Sequence, residues 1–104
     1  MTAFPATAFK ILTAAEWADF QADGRFDGSP VDRTDGFIHL SAADQVEGTL
    51  ERHFAGQTGL VVAEVDLGAL GEAVRWEESR GGALFPHVYG ALPLSAVAGT
   101  KPVS

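Results

Sequence analysis

The sequence predicts a single α+β domain, on three observations. Its 104 residues, 46% of them hydrophobic, suffice for one core and not for two. Helical spacing of apolar residues is confined to the first half, whereas the second half is made of strand-like runs. The resulting order, β-α-β-α-β-β-β with two helices, lacks the regular strand–helix–strand winding of a parallel sheet. The domain is expected to occupy residues 1–104 with its core over 8–99, the first eight residues and the tail after Gly99 being loose ends.

The first strand is Phe9 to Leu12. A hydroxyl residue followed three positions later by an acid, Thr13-Ala-Ala-Glu16, then opens a helix from Ala14 to Ala22. Trp17 and Phe20 lie three apart on its apolar edge, and Gly24 stops it. Asp27-Gly28-Ser29-Pro30 and Asp35-Gly36 read as turns, leading into a strand from Gly36 to Leu40. The spelling Ser41-Ala-Ala-Asp44 predicts a second helix from Ala42 to Ala55, with Val46, Leu50 and Phe54 on one face and Gly56 as its stop. Leu60 to Leu67 is the strongest strand: Val61, Ala63, Val65 and Leu67 form one apolar face while Leu60 and Val62 make the other half apolar, as a mid-sheet position requires. Val74 to Glu77 and Pro86 to Tyr89 complete the set, separated by turns at Gly68 to Gly71, Gly81-Gly82 and Gly90 to Pro93. Pro86 lacks a ladder donor, which predicts an edge or irregular strand there.

Composition excludes several classes of function. Fourteen acidic against seven basic residues give a net charge of −7, which opposes the phosphate attraction behind general nucleic-acid binding. Without cysteine there is no disulfide, thiolate metal site or thiol nucleophile. No paired histidine spacing supports a metal, so none is expected. The N-terminus has no basic stretch before an apolar run, and no apolar segment is long enough to span a bilayer, so a cytoplasmic protein without membrane contact is expected. A serine elbow, a P-loop and a dinucleotide-type glycine turn are also missing.

Chemistry concentrates in two segments, Gly36-Phe-Ile-His-Leu-Ser41 and Phe85-Pro-His-Val-Tyr-Gly90, which hold two of the three histidines. Strand alternation puts Phe37, His39 and Ser41 on one face, and Phe85, His87 and Tyr89 on one face, so both histidines are expected to open on a shared cleft. An imidazole there serves as acid, base or hydrogen-bond donor, or as a structural tie between strand and helix. Tyr89 offers a stacking surface. Trp76-Glu77-Glu78-Ser79-Arg80 supplies a carboxylate, Glu77, to steady a cation or take a proton, and a guanidinium, Arg80, to clamp a phosphate or carboxylate. Asp32, Arg33 and Asp35 form a second polar cluster, Arg33 being the nearest cation to His39 in sequence. His53 reads as a partly buried packing residue.

The stretches Asp35-Gly-Phe-Ile-His-Leu-Ser41, Trp76-Glu77 and Phe85-Pro-His-Val-Tyr-Gly90, with Lys10-Ile11 and Trp17, resemble the signature of a small bacterial family, domain of unknown function 952, over nearly the whole chain. That family is grouped with the ADP-ribosyltransferase-like fold. The resemblance therefore implies a split, mixed β-sheet gripping NAD in a central cleft. Within that group the RNA 2′-phosphotransferases carry a strand ending in a histidine that His39 matches. Where those enzymes have a further histidine this chain has Phe37, and where they have a histidine-glycine-threonine first strand it has Phe9-Lys10-Ile11-Leu12. By position, Glu77 corresponds to the late-strand glutamate of many ADP-ribosyltransferases.

Three functions fit these readings. The first is transfer or hydrolysis of ADP-ribose with NAD as substrate, His39, Glu77 and His87 being catalytic and Arg33, Ser41, Arg80 and Tyr89 holding the ligand. The second is a non-catalytic module that binds a small nucleotide-like or anionic ligand between the histidine segments. The third is a hydrolase of another kind, with His39 or His87 as general base.

Overall fold

Thr13 opens the first helix through the reciprocal cap its spelling predicts: the Glu16 N–H donates to Thr13 Oγ1 at 3.1 Å and the Thr13 N–H to Glu16 Oε1 at 2.9 Å. The computed structural model describes residues 4–103, with the Arg80 side chain outside the described residues. Strand β1 (Thr7–Leu12) precedes this helix, α1 (Ala14–Asp23), which Gly24 ends in the left-handed conformation. The short β2 (Arg25–Phe26) leads to α2 (Pro30–Asp35) and β3 (Ile38–His39). A 3-10 turn (Ala43–Gln45) and α3 (Val46–His53) follow. The second half consists of β4 (Leu60–Asp66), β5 (Val74–Glu78), β6 (Leu84–Val88), β7 (Leu92–Pro93) and β8 (Val97–Val103).

The sheet is in pieces: β1-β4-β8 and β3-β6-β5, each three-stranded, and the ribbon β2-β7. All their pairings are antiparallel, so the sheet is not the mixed one expected. An isolated bridge, Phe9 with Ser41, exchanges two backbone hydrogen bonds of 2.8 Å and joins β1 to the chain just beyond β3. Between the pieces lies the core, built on Leu12, Phe20, Ile38, Leu40, Val65 and Val88. β4 runs mid-sheet between β1 and β8, as its two-sided apolar pattern predicts.

Four expectations need correction. Among the described residues there are three α-helices rather than two: α2 (Pro30–Asp35) fills the stretch between the turns read at Asp27-Gly28-Ser29-Pro30 and Asp35-Gly36, and six residues are too few to display helical periodicity. The helix over Ala42–Ala55 is shorter and is not capped by Ser41; the Gln45 side chain accepts from the Ala42 N–H at 2.9 Å and α3 starts only at Val46.

The ends are also structured. β8 pairs with β4 from Val65↔Val97 to Leu60↔Val103, so the tail after Gly99 is an edge strand that tolerates Pro102. Ala8 is fully buried in β1 and Phe4 stacks on Trp76 at 4.7 Å, while residues 1–3 lie outside the described residues.

Finally, β6 is the middle strand of its sheet despite Pro86. The Pro86 carbonyl accepts from Leu40 N–H at 3.0 Å, so the missing N–H falls on the β3 side, where the ladder gives out. Among the described residues no helix is long and apolar enough to cross a membrane.

Candidate functional site

His39 and His87 are directly opposed partners in the β3–β6 ladder. Opposed residues of an antiparallel pair project to the same face, and the two rings meet edge to face with centroids 5.4 Å apart. Phe37 packs over both, at 4.7 Å from His39 and 4.1 Å from His87, and reaches Tyr89 at 5.2 Å.

Each imidazole is fixed through Nδ1 by a carboxylate. For His39 that carboxylate is Asp32, which α2 carries inward until only 2% of the residue is exposed. Asp32 Oδ1 meets His39 Nδ1 at 2.6 Å and accepts the His39 N–H at 3.1 Å. Its Oδ2 accepts from Lys10 Nζ and from the Ser29 N–H, both at 2.9 Å. Lys10, itself buried in β1, also donates to the His39 carbonyl at 3.1 Å. A buried carboxylate is tolerable only with such a complete set of partners. Burial pushes Asp32 up, but the His39 bond, the Lys10 charge and the Ser29 N–H together hold it well below the usual carboxylate range. Gly36 at φ 88° makes the turn between α2 and β3, letting both elements converge on this carboxylate.

On the other side of His39, Nε2 lies 3.0 Å from Asp35 Oδ2, a half-exposed carboxylate. The imidazolium form donates to both aspartates, whereas the neutral ring donates to one. For His87, Nδ1 lies 2.8 Å from Glu77 Oε1, which also accepts the Tyr89 hydroxyl at 2.7 Å. The Tyr89 and His87 hydrogen bonds lower the pKa of Glu77, and the Glu77 bond raises that of Tyr89. The Arg75 guanidinium covers the Tyr89 ring at 4.7 Å.

Both histidines line a cavity of about 630 Å³, within the usual range for small-molecule sites. Phe9, Ile11, Leu40, Phe54 and Phe85 give it apolar walls. Ser41 lines it too, buried, with Oγ 2.9 Å from Thr49 Oγ1. Because Thr49 spends its proton on the Gln45 carbonyl at 3.0 Å, Ser41 is the donor of that pair.

The structure thus brings His39, Ser41 and His87 into one cavity. Glu77 and Tyr89 stand behind His87 and do not line it, so Tyr89 has no stacking surface there. Arg33 lines a separate depression with Arg25 and Asp27. The cation beside His39 is Lys10. The side chain of Arg80 lies outside the described residues. His53 is exposed at the end of α3 and lines the cavity, rather than being partly buried packing. Among the described residues no group of three or more metal-ligating side chains converges.

Sequence reasoning missed the roles of Asp32, Lys10 and Asp35. Ser29-Pro30-Val31-Asp32 has the same hydroxyl-to-acid spacing as Thr13 to Glu16, with proline at the first helical position, and that signal marks a helix which carries Asp32 at a defined angle.

A family model described as "Protein of unknown function (DUF952)" matches residues 11–100. The crystal structure of protein CC0527 from Caulobacter crescentus is similar to this chain at 48% identity and a TM-score of 0.91, covering 94% of this chain and 86% of that one. The solution structure of the same protein matches at 47% identity and a TM-score of 0.85, covering 96% and 86%. No curated protein matches the chain.

Proposed function

From a chain that belongs to the DUF952 family, we propose an enzyme that handles NAD or ADP-ribose in the cavity between its two histidine strands, with His87 as its general base and His39 holding the sugar. One observation carries the reading: two imidazoles at opposed strand positions, each locked through Nδ1 by a carboxylate, open on one cavity of small-molecule size. Locking Nδ1 selects the tautomer and aims Nε2, which is how a carboxylate prepares a histidine for proton transfer.

In this reading an acceptor hydroxyl attacks the ribose C1′ of NAD while the bond to the nicotinamide nitrogen breaks. Nicotinamide leaves with the bonding electron pair, which neutralises its ring. The acceptor's proton passes to the Nε2 of His87. The His39–Asp32 pair orients the ribose hydroxyls, and Glu77 acts through His87 rather than on the ligand.

A second reading, a binding module without turnover, is favoured by the Asp35 carboxylate that already occupies His39 Nε2. Thermal-shift measurements with NAD, ADP-ribose and nicotinamide test the site, because a ligand at about 100 times its dissociation constant adds about 2.7 kcal/mol of stability. Nicotinamide release, abolished by His39→Ala without loss of folding, supports the enzyme. A thermal shift without release supports the module, and no shift with millimolar ligand refutes both.

A further inference from the structure

The group that docks between the two histidines is a hydrogen-bond donor, neutral or cationic, and not an anion; we infer this from what the cavity leaves uncommitted. The inference rests on this cavity being the ligand site.

His87 is the clearest element. Its side chain is 6% exposed, it lines the cavity, and its Nδ1 is engaged by Glu77. No described residue hydrogen-bonds Nε2, yet no sealed side-chain nitrogen or oxygen among the described residues lacks a partner, so Nε2 opens to the cavity. With the Nδ1 proton directed at Glu77, the neutral ring presents a lone pair there.

Its neighbours have the same sign. Ser41 has spent its proton on Thr49 and offers only lone pairs. Asp35, half exposed, adds a carboxylate at the far side of His39. Among the described lining residues, Glu16, Asp32 and Asp35 face one fixed cation, Lys10, and that ammonium is consumed by Asp32 and the His39 carbonyl. The hydroxyls of Thr13, Ser29 and Ser79, the side-chain amide of Gln57 and the ring of His53 serve as donor or acceptor and set no preference. An entering phosphate or carboxylate would thus meet lone pairs and negative charge in a site with apolar walls, where unmatched polar groups are costly. An amide, amidine, ammonium or hydroxyl group finds acceptors at His87 Nε2 and Ser41, and the cationic ones are drawn further by the Asp35 charge. The phosphates of any larger ligand stay outside the cavity.

Ring-matched probes test this by NMR on the isotope-labelled protein at pH ~8, above the ordinary imidazole range: benzamidine, benzamide, benzoate and inorganic phosphate, each to millimolar concentration. Benzamidine and benzamide should shift the His87 imidazole signals, and benzoate and phosphate should not. Asp35→Asn, at an exposed position that leaves the fold intact, should weaken benzamidine about threefold or more, as loss of one partly screened charge pair implies, and leave benzamide nearly unchanged. Benzoate or phosphate binding as tightly as benzamide overturns the inference, as does failure of all four probes or an unchanged benzamidine affinity in Asp35→Asn. None of these results depends on nicotinamide release, so the probe order can hold while NAD turnover fails, and the reverse.

Discussion

Replacing Asp32 by asparagine keeps the shape of the side chain and removes the charge that Lys10 is buried against. Lys10 and Asp32 side chains are 7% and 1% exposed, and their 2.9 Å contact is reinforced by the Ser29 and His39 N–H groups. Removing one member of a buried pair leaves an uncompensated charge, which costs about 3–5 kcal/mol. That is a large part of the about 5–15 kcal/mol that holds a domain of this kind together. At about 4–8 °C per kcal/mol for a domain slightly smaller than this one, Asp32→Asn should lower Tm by about 12 °C or more.

The pH dependence has a definite sign. Asp32 has a folded pKa well below its unfolded value of about 4, so between the two the unfolded chain binds the extra proton. Its contribution is complete above that unfolded value and is lost as pH falls towards the folded one. Urea unfolding at neutral pH and near pH 3 measures both effects, and the mutant should show a smaller acid loss than the wild type. Adding Lys10→Met to Asp32→Asn removes the stranded charge and should recover much of the loss, giving a strongly non-additive cycle. An Asp32→Asn protein within about 1 kcal/mol of wild type, or an additive cycle, refutes the claim that the Lys10–Asp32 pair is buried and coupled.

Three further outcomes are expected. Thr13→Ala removes the hydroxyl half of the α1 cap and should cost about 1 kcal/mol in urea unfolding. Tyr89→Phe deletes the hydroxyl that donates to Glu77, so the Glu77 carboxyl titration followed by NMR should move up toward the ordinary carboxylate value. Ending the chain at Gly99 removes the pairs from Ala63↔Thr100 to Leu60↔Val103; at about 1 kcal/mol for each of two or three lost ladder bonds, Tm should fall by about 10 °C or more.

How much of this was legible in the sequence depended on the length of each pattern. The Thr13–Glu16 cap, α1 and the two-sided apolar run of β4 span enough residues for period and cap to agree, and they stand where expected. Strand alternation also placed His39 and His87 on faces that meet, since parity is a local property of each strand. Their ladder pairing is a long-range contact, visible only in the fold. The tail Val97-Ala-Gly-Thr-Lys-Pro-Val103 carries glycine and proline, and its strand character comes from β4 beside it rather than from its own residues. In sequence Asp32 is one member of the polar cluster of Asp32, Arg33 and Asp35, and its burial depends on Lys10, 22 positions away. Arg33, next in sequence, is the nearest cation along the chain, but it lines the separate depression beside Arg25 and Asp27.

In the proposed site one ligand engages both imidazoles. Long-range ¹H–¹⁵N NMR of the histidine rings, recorded with and without NAD, tests it directly. The Nε2 signals of His39 and His87 should move together on titration with one dissociation constant, while Nδ1 of each ring keeps its carboxylate-bonded position. Binding of NAD that leaves both Nε2 signals unmoved, or moves only one of them, would contradict it.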